Sequence, residues 1–130
     1  MKYPLGEYEK ASIRSKTGKK LDEITIEEIK KGNVTADDIK ISKEMLYKQS
    51  EVAKDNDNIG LAKNFERASE LVDVPDEVIL RMYNKLRPNR ATKLELVMMA
   101  QELLDKYKAK NCAKLVLEAA EIYEKRGILL

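Results

Sequence analysis

AKNFERASELVDVPDEVILRMYNKLRPNR, residues 62–90, is the stretch whose reading decides the fold class. In its first half Ala62, Phe65, Ala68 and Val72 recur every three or four residues, and Leu61 and Leu71 widen the stripe. That is the period of an amphipathic helix. Lys63, Glu66, Arg67 and Glu70 occupy the other face. Lys63–Glu66 and Arg67–Glu70 attract at i,i+3, while Lys63–Arg67 and Glu66–Glu70 repel at i,i+4. Pro75 disfavours helical backbone in the residue before it, so the first helix should stop near Val74. The same proline suits the first turn of a second helix, where a missing N–H costs nothing. Asp76 and Glu77 then favour the positive end of that helix dipole. Val78, Ile79, Met82, Tyr83 and Leu86 form the second stripe, and Pro88 ends it. The stretch predicts a helical hairpin with Phe65 buried mid-stripe.

Working outward, Thr25 with Glu28, and Thr35 with Asp38, carry capping-box spacing for two short helical pieces, and Gly32 can close the first. Ser42 caps a longer helix through Met45, Leu46, Gln49, Val52, Ala53 and Asn56. Asp57 or Asn58 breaks that helix and caps the next. On the far side, Thr92 with Glu95 opens a helix whose stripe is Leu96, Ala100, Leu103, Leu104 and Tyr107. Leu94, Val97, Met98 and Met99 add so much apolar surface that this helix should be covered on more than one side. Asn111 is the expected cap of the last helix, with Leu115, Val116, Ala119, Ala120, Ile122 and Tyr123 facing inward, and Gly127 is its stop. No strand pattern, repeat or low-complexity segment competes. The fold class is all-α: a compact bundle of about five longer helices with short helical turns.

Residues 1–24 show no sustained period. Tyr3, Leu5, Tyr8, Ile13 and Leu21 are scattered among Pro4, Gly6, Gly18 and charges. This reads as an extended N-terminal arm, 1–24, preceding a single helical domain, 25–130. Lys10, Arg14, Lys16, Lys19 and Lys20 make the arm basic; a solvated strap explains them more simply than a phosphate patch. Thr17-Gly18-Lys19-Lys20 is not a P-loop, because the required glycine five residues earlier is Ile13.

Composition narrows the function classes. The 130 residues carry 25 Lys+Arg against 23 Asp+Glu, a net +2, with 37% charged and 5% aromatic residues. The surface is well solvated and the core aliphatic. Histidine is absent, which removes the commonest general acid–base group and the commonest metal ligand. Ser–His and Cys–His nucleophilic pairs are excluded with it. The lone Cys112 cannot form an internal disulfide, which suits a reducing cytoplasm. No apolar run nears the ~20 residues that span a bilayer, and no signal-peptide pattern opens the sequence. A soluble intracellular protein without a catalytic site of its own is expected.

Specific residues say more. Asn64-Phe65, Arg67-Ala68, Glu70-Leu71, Pro75-Asp76-Glu77, Ile79-Leu80, Tyr83-Asn84 and Leu86-Arg87-Pro88 resemble the small subunit of adenosylcobalamin-dependent diol and glycerol dehydratases. Tyr3-Pro4-Leu5, Thr17-Gly18-Lys19 with Leu21, Ile24-Thr25, Gly32, Ile41-Ser42, and Ala120-Glu121 with Tyr123 and Arg126 fit the same family. No single motif is diagnostic; the resemblance rests on their running in order along nearly the whole chain. It implies an enzyme that converts 1,2-diols or glycerol to an aldehyde and water by a radical route. It further implies large and medium partner subunits in a dimer of heterotrimers. Substrate and adenosylcobalamin would be bound by those partners, and this chain would add no catalytic, cofactor or metal residue. Tyr3, Pro4, Leu5, Tyr8, Tyr83, Arg87 and Arg90 stand as candidate partner-interface residues, with the arm ordering on the large subunit. The complex would be cytoplasmic, free or enclosed in a bacterial microcompartment.

Two other classes remain open on the residues alone. A free-standing helical adaptor would show the same helices and arm. A nucleic-acid binder could use the arm with Arg87-Pro88-Asn89-Arg90, although a net charge of +2 is weak for that role.

Overall fold

The structure is a computed structural model that describes residues 2–130, and the chain divides into two compact units with the boundary at Val72/Asp73. The first unit holds α1 (Leu5–Tyr8), α2 (Ile26–Lys30), α3 (Lys43–Asp55) and α4 (Ile59–Leu71). Single 3-10 turns lie at Lys10–Ser12, Leu21–Glu23 and Ala36–Ile39. The second unit holds α5 (Asp76–Lys85), α6 (Lys93–Tyr107) and α7 (Lys110–Arg126). Among the described residues the only β pairing is two isolated bridges, Arg14 with Lys20 and Ser15 with Ile41. The class is all-α, with five helices of more than two turns.

The expected caps form where local chemistry dictates them. Thr25, Ser42 and Thr92 each accept the backbone N–H three residues on, from Glu28 (3.2 Å), Met45 (3.2 Å) and Glu95 (3.1 Å). Asn58 does the same for Leu61 at 3.2 Å, after Asp57 has turned the chain with φ 59°. Each satisfies a donor that the first helical turn leaves orphaned. Gly127, at φ 67°, ends α7 in the left-handed conformation, and the Ile128 N–H returns to the Tyr123 carbonyl. Asn111 is a correction: the cap position of α7 is Ala109, and no side chain caps it. Lys108 takes φ 56°, which aims the Ala109 N–H back at the Leu103 carbonyl of α6 (2.9 Å) and starts α7 before Asn111 is reached.

In the first unit the helices that pack face to face are α3 and α4. Leu46, Ser50, Val52 and Ala53 are buried on α3, and Ala62, Ser69 and Glu70 on α4. Small side chains here allow a close approach of the two helices. Their hydroxyls converge on Glu66: Ser50 Oγ donates to its carboxylate (3.2 Å) and Ser69 Oγ to its carbonyl (2.6 Å). Lys54 ion-pairs with the same carboxylate. Phe65, Ala68 and Val72 are consequently only half-buried. The buried face, Ala62, Ser69 and Glu70, is turned from the expected stripe, and Glu66, itself half-buried, meets Ser50 and Lys54 of α3.

The arm departs from the expectation of wholly extended backbone. Pro4, with φ −74°, stands at the N-cap of the short α1, and its carbonyl accepts the Glu7 N–H at 3.1 Å. Leu5 is buried. Downstream, the Lys16 N–H reaches the Lys40 carbonyl (2.8 Å), and Lys16 Nζ reaches the Val72 carbonyl (2.9 Å) just beyond α4. Thr17 Oγ1 donates to Asp38 (2.6 Å), and Lys48 Nζ of α3 donates to Ser12 Oγ (2.5 Å). These bonds join residues far apart in sequence, which no local period announces.

In the second unit α6 packs on α7. Leu96, Met99, Ala100 and Leu103 form the buried stripe of α6, opposite Cys112, Ala113, Val116 and Ala120 of α7. On α7, Leu115 and Ile122 are exposed instead of facing inward. Tyr123 Oη donates to the Leu86 carbonyl after α5 (2.6 Å). Beyond α7, the backbone of Ile128 and Leu130 bonds to Asn89 and Ala91. The 62–90 stretch is therefore two helices separated by the unit boundary, each joined to neighbours on its own side.

Candidate partner-docking surface

The second unit carries an exposed apolar face that α6 builds from its own sequence. Leu96 and Met99 point into the unit, yet Leu94 is 68% and Met98 62% exposed. They lie one turn apart, so they share a face of the helix. On α5, Leu80 and Tyr83 are likewise exposed at 62% and 63%. Neighbouring exposed apolar side chains such as Leu94 and Met98 mark interaction surfaces. The excess apolar content of α6 is the sequence signal for this face; the expected second cover on α6 is not supplied within the second unit.

Between α5 and α6 runs an open groove of about 350 Å³, lined by Arg81, Lys85, Glu95, Met98, Met99 and Glu102. Two ion pairs cross it. Arg81 Nη2 approaches both carboxylate oxygens of Glu102, at 2.9 and 2.7 Å, and Lys85 Nζ lies 2.6 Å from Glu95. The Lys85 ammonium holds the Glu95 carboxyl below its usual range. The floor is methionine, whose flexible thioether adapts to varied partner shapes.

The interface residues expected from sequence fall differently. In the first unit Tyr3, Pro4 and Tyr8 are exposed, and Lys2 Nζ sits 5.5 Å from the Tyr8 ring centroid. Leu5, at 3% exposure, contributes to the interior and offers no docking contact in this conformation. In the second unit Tyr83 is exposed with the Arg87 guanidinium 5.8 Å over its ring, a cation–π pair that presents a flat combined surface. Arg90 is exposed, and its carbonyl accepts from Lys85 Nζ at 3.5 Å. Sequence reasoning missed Leu80 and the paired charges of the groove, while Leu94 and Met98 stood out in the sequence only as excess apolar surface on α6.

Among the described residues no group of three His, Cys, Asp or Glu side chains is placed to hold a metal ion. Nor is any helix among them long and apolar enough to cross a membrane.

Comparison with known proteins agrees with an interaction role. Residues 1–130 match the family described as dehydratase small subunit. The chain is 47% identical over 124 residues to the propanediol dehydratase small subunit of Citrobacter freundii, covering 95% of this chain and 72% of that protein. It is 46% identical, with the same coverage, to the propanediol dehydratase small subunit of Salmonella typhimurium. An all-α chain with an unpartnered apolar face, related over nearly its whole length to subunits of an assembled enzyme, belongs to the dehydratase small-subunit family.

Proposed function

We propose that this chain is the non-catalytic small subunit of an adenosylcobalamin-dependent diol dehydratase, and that it acts by packing on the large subunit. The observation that carries the reading is the exposure of large apolar side chains, Leu80 and Tyr83 on α5 and Leu94 and Met98 on α6, in a chain whose relatives are dehydratase small subunits. Large and medium subunits complete a dimer of heterotrimers in the cytoplasm, free or within a bacterial microcompartment. The names of both relatives favour 1,2-propanediol over glycerol as the substrate of the complex. Adenosylcobalamin, held by the partners, supplies the radical that begins the loss of water. This chain covers apolar surface and keeps the partners in shape around a closed site, since radical chemistry is sensitive to stray water.

Co-expression with the large and medium subunits tests the proposal. Native mass spectrometry should show all three chains in one complex, with dehydratase activity recovered from it. Equilibrium dialysis of the purified chain with adenosylcobalamin should show no stoichiometric binding. A complex that forms and turns over identically without this chain would overturn the reading.

A further inference from the structure

The positive charge of the N-terminal segment is concentrated in residues 10–20, which contain Lys10, Arg14, Lys16, Lys19 and Lys20 and no Asp or Glu. Most of these cations have partners inside the chain. Lys16 Nζ is engaged by the Val72 carbonyl, and Lys10 lies 3.6 Å from Asp22. Lys19 is close enough to Asp38 to help hold that carboxyl ionised. Arg14 and Lys20 differ. The Arg14 Nη1 group bonds only the neutral carbonyls of Ala11 and Ile13, both at 2.8 Å. Among the described residues neither the Arg14 guanidinium nor the Lys20 ammonium is ion-paired with a carboxylate, although the Lys20 backbone N–H donates to Glu23 (2.8 Å).

The backbone sets these two cations against each other. Arg14 and Lys20 are the facing residues of an antiparallel bridge, a geometry that holds Cβ atoms about 4.5–5.5 Å apart on one side. The Ser15 N–H to Lys19 carbonyl bond (3.0 Å) and the Gly18 turn, at φ 89°, fix the pairing. Like charges directly opposite are unfavourable in such a pair. Beside them opens a pocket of about 260 Å³ lined by Lys10, Ala11, Arg14, Lys20, Leu21 and Asp22. Asp22 is directed to Lys10 and leaves the pocket with a surplus of positive charge. Ala11 and Leu21, the latter 49% exposed, give it an apolar wall.

We infer that this pocket receives an acidic side chain of a partner subunit, its carboxylate between Arg14 and Lys20 and its methylene stem on Leu21. Two unneutralised cations, an apolar wall and room for one side chain match a Glu or Asp better than they match an apolar anchor. Arg14 supplies the planar fork that grips a carboxylate, and Lys20 the mobile point charge. The inference rests on the chain's proposed place in a dehydratase complex, and it adds an electrostatic contact to the apolar face of the second unit.

The test uses the co-expressed complex. Release of this chain is followed by native mass spectrometry as NaCl is raised, for the unsubstituted chain, Lys20→Gln, Arg14→Gln/Lys20→Gln, and Lys30→Gln as a control on exposed α2. The double variant should leave at lower NaCl and about ten-fold faster, Lys20→Gln should lie between, and Lys30→Gln should match the unsubstituted chain. Lys20→Gln guards against misfolding, because among the described residues its ammonium bonds no other group. Release unaffected by either pocket variant, or equally affected by Lys30→Gln, would overturn the inference while leaving the proposed function standing. Saturable binding of inorganic phosphate by the full chain, abolished by the double variant without any effect on release, would make this a free-anion site and overturn the partner assignment. Failure of the unsubstituted chain to assemble would refute the proposed function and this inference with it.

Discussion

Leu94 and Leu96 offer a controlled contrast: one residue type on one helix, two positions apart. Leu96 is fully enclosed and Leu94 is 68% exposed. Leu96→Ala removes buried methyl groups from the α6–α7 packing and leaves a cavity that the helix pair closes only in part. The transfer and cavity contributions together amount to ~2–5 kcal/mol, against a total stability on the order of 5–15 kcal/mol for a domain. At this chain length each kcal/mol moves the midpoint by roughly 3–5 °C, so thermal unfolding followed by circular dichroism should shift down by about 6–25 °C. Leu94→Ala removes the same atoms from a side chain that solvent already reaches. Its effect on unfolding should stay within about 0.5 kcal/mol. The order reverses when assembly is measured. On co-expression with the other subunits, Leu94→Ala should weaken incorporation of the folded chain, because it removes contact area from the exposed face. Equal destabilisation by both substitutions would show that Leu94 is interior and would remove the docking face. A Leu96→Ala chain that melts within a degree of the unsubstituted one would refute the assigned buried stripe of α6.

Other expectations follow from the same coordinates. Phe65→Ala should cost less than the ~3–5 kcal/mol of a fully buried phenylalanine, since Phe65 is half-buried; urea unfolding measures it. Deleting residues 1–20 should lower the melting temperature of the chain as well as its assembly, because Lys16 and Thr17 bond to Val72 and Asp38; unchanged melting would show the segment to be detachable. The Thr17 hydroxyl, followed by the Thr35 N–H, holds the Asp38 carboxyl below its usual range. A depressed folded-state pKa stabilises above the unfolded value, near 4, and that contribution is lost as pH falls through the folded value. Acid titration of Asp38→Asn should therefore lack one component of the acid-side loss of stability; an unchanged profile would mean that the Asp38 contact is absent in solution.

Function was legible in the residues further than physics alone allowed. Periodicity and caps stop at a helical partner-binding chain, and the ordered run of pairs from Tyr3-Pro4 to Arg126 carries the family. The docking residues were less legible. Tyr83, placed on an apolar stripe by its spacing, is exposed beside Arg87, and Leu5, a candidate contact, lies inside. A methionine on an apolar stripe has the same local signature whether its helix meets another helix of the chain or waits for a partner.

What the sequence determined by itself is local. Helix starts at Ser42, Asn58 and Thr92 and the stop at Gly127 depend on groups within a few residues of each other, so side-chain chemistry and φ preference decide them wherever the helix later packs. Tertiary structure decided which side of α4 is covered, whereas the buried sides of α3 and α6 follow their periods. Glu66 meets Ser50 and Lys54 of α3, and Phe65 is half-buried where its spacing predicts burial. Lys16 is tied down by Lys40 and Val72, far along the chain. Lys108, in the left-handed conformation, starts α7 ahead of Asn111. At Glu66 and Lys16 the contacts join residues separated in sequence, and a periodicity measured along one helix contains no information about the other member.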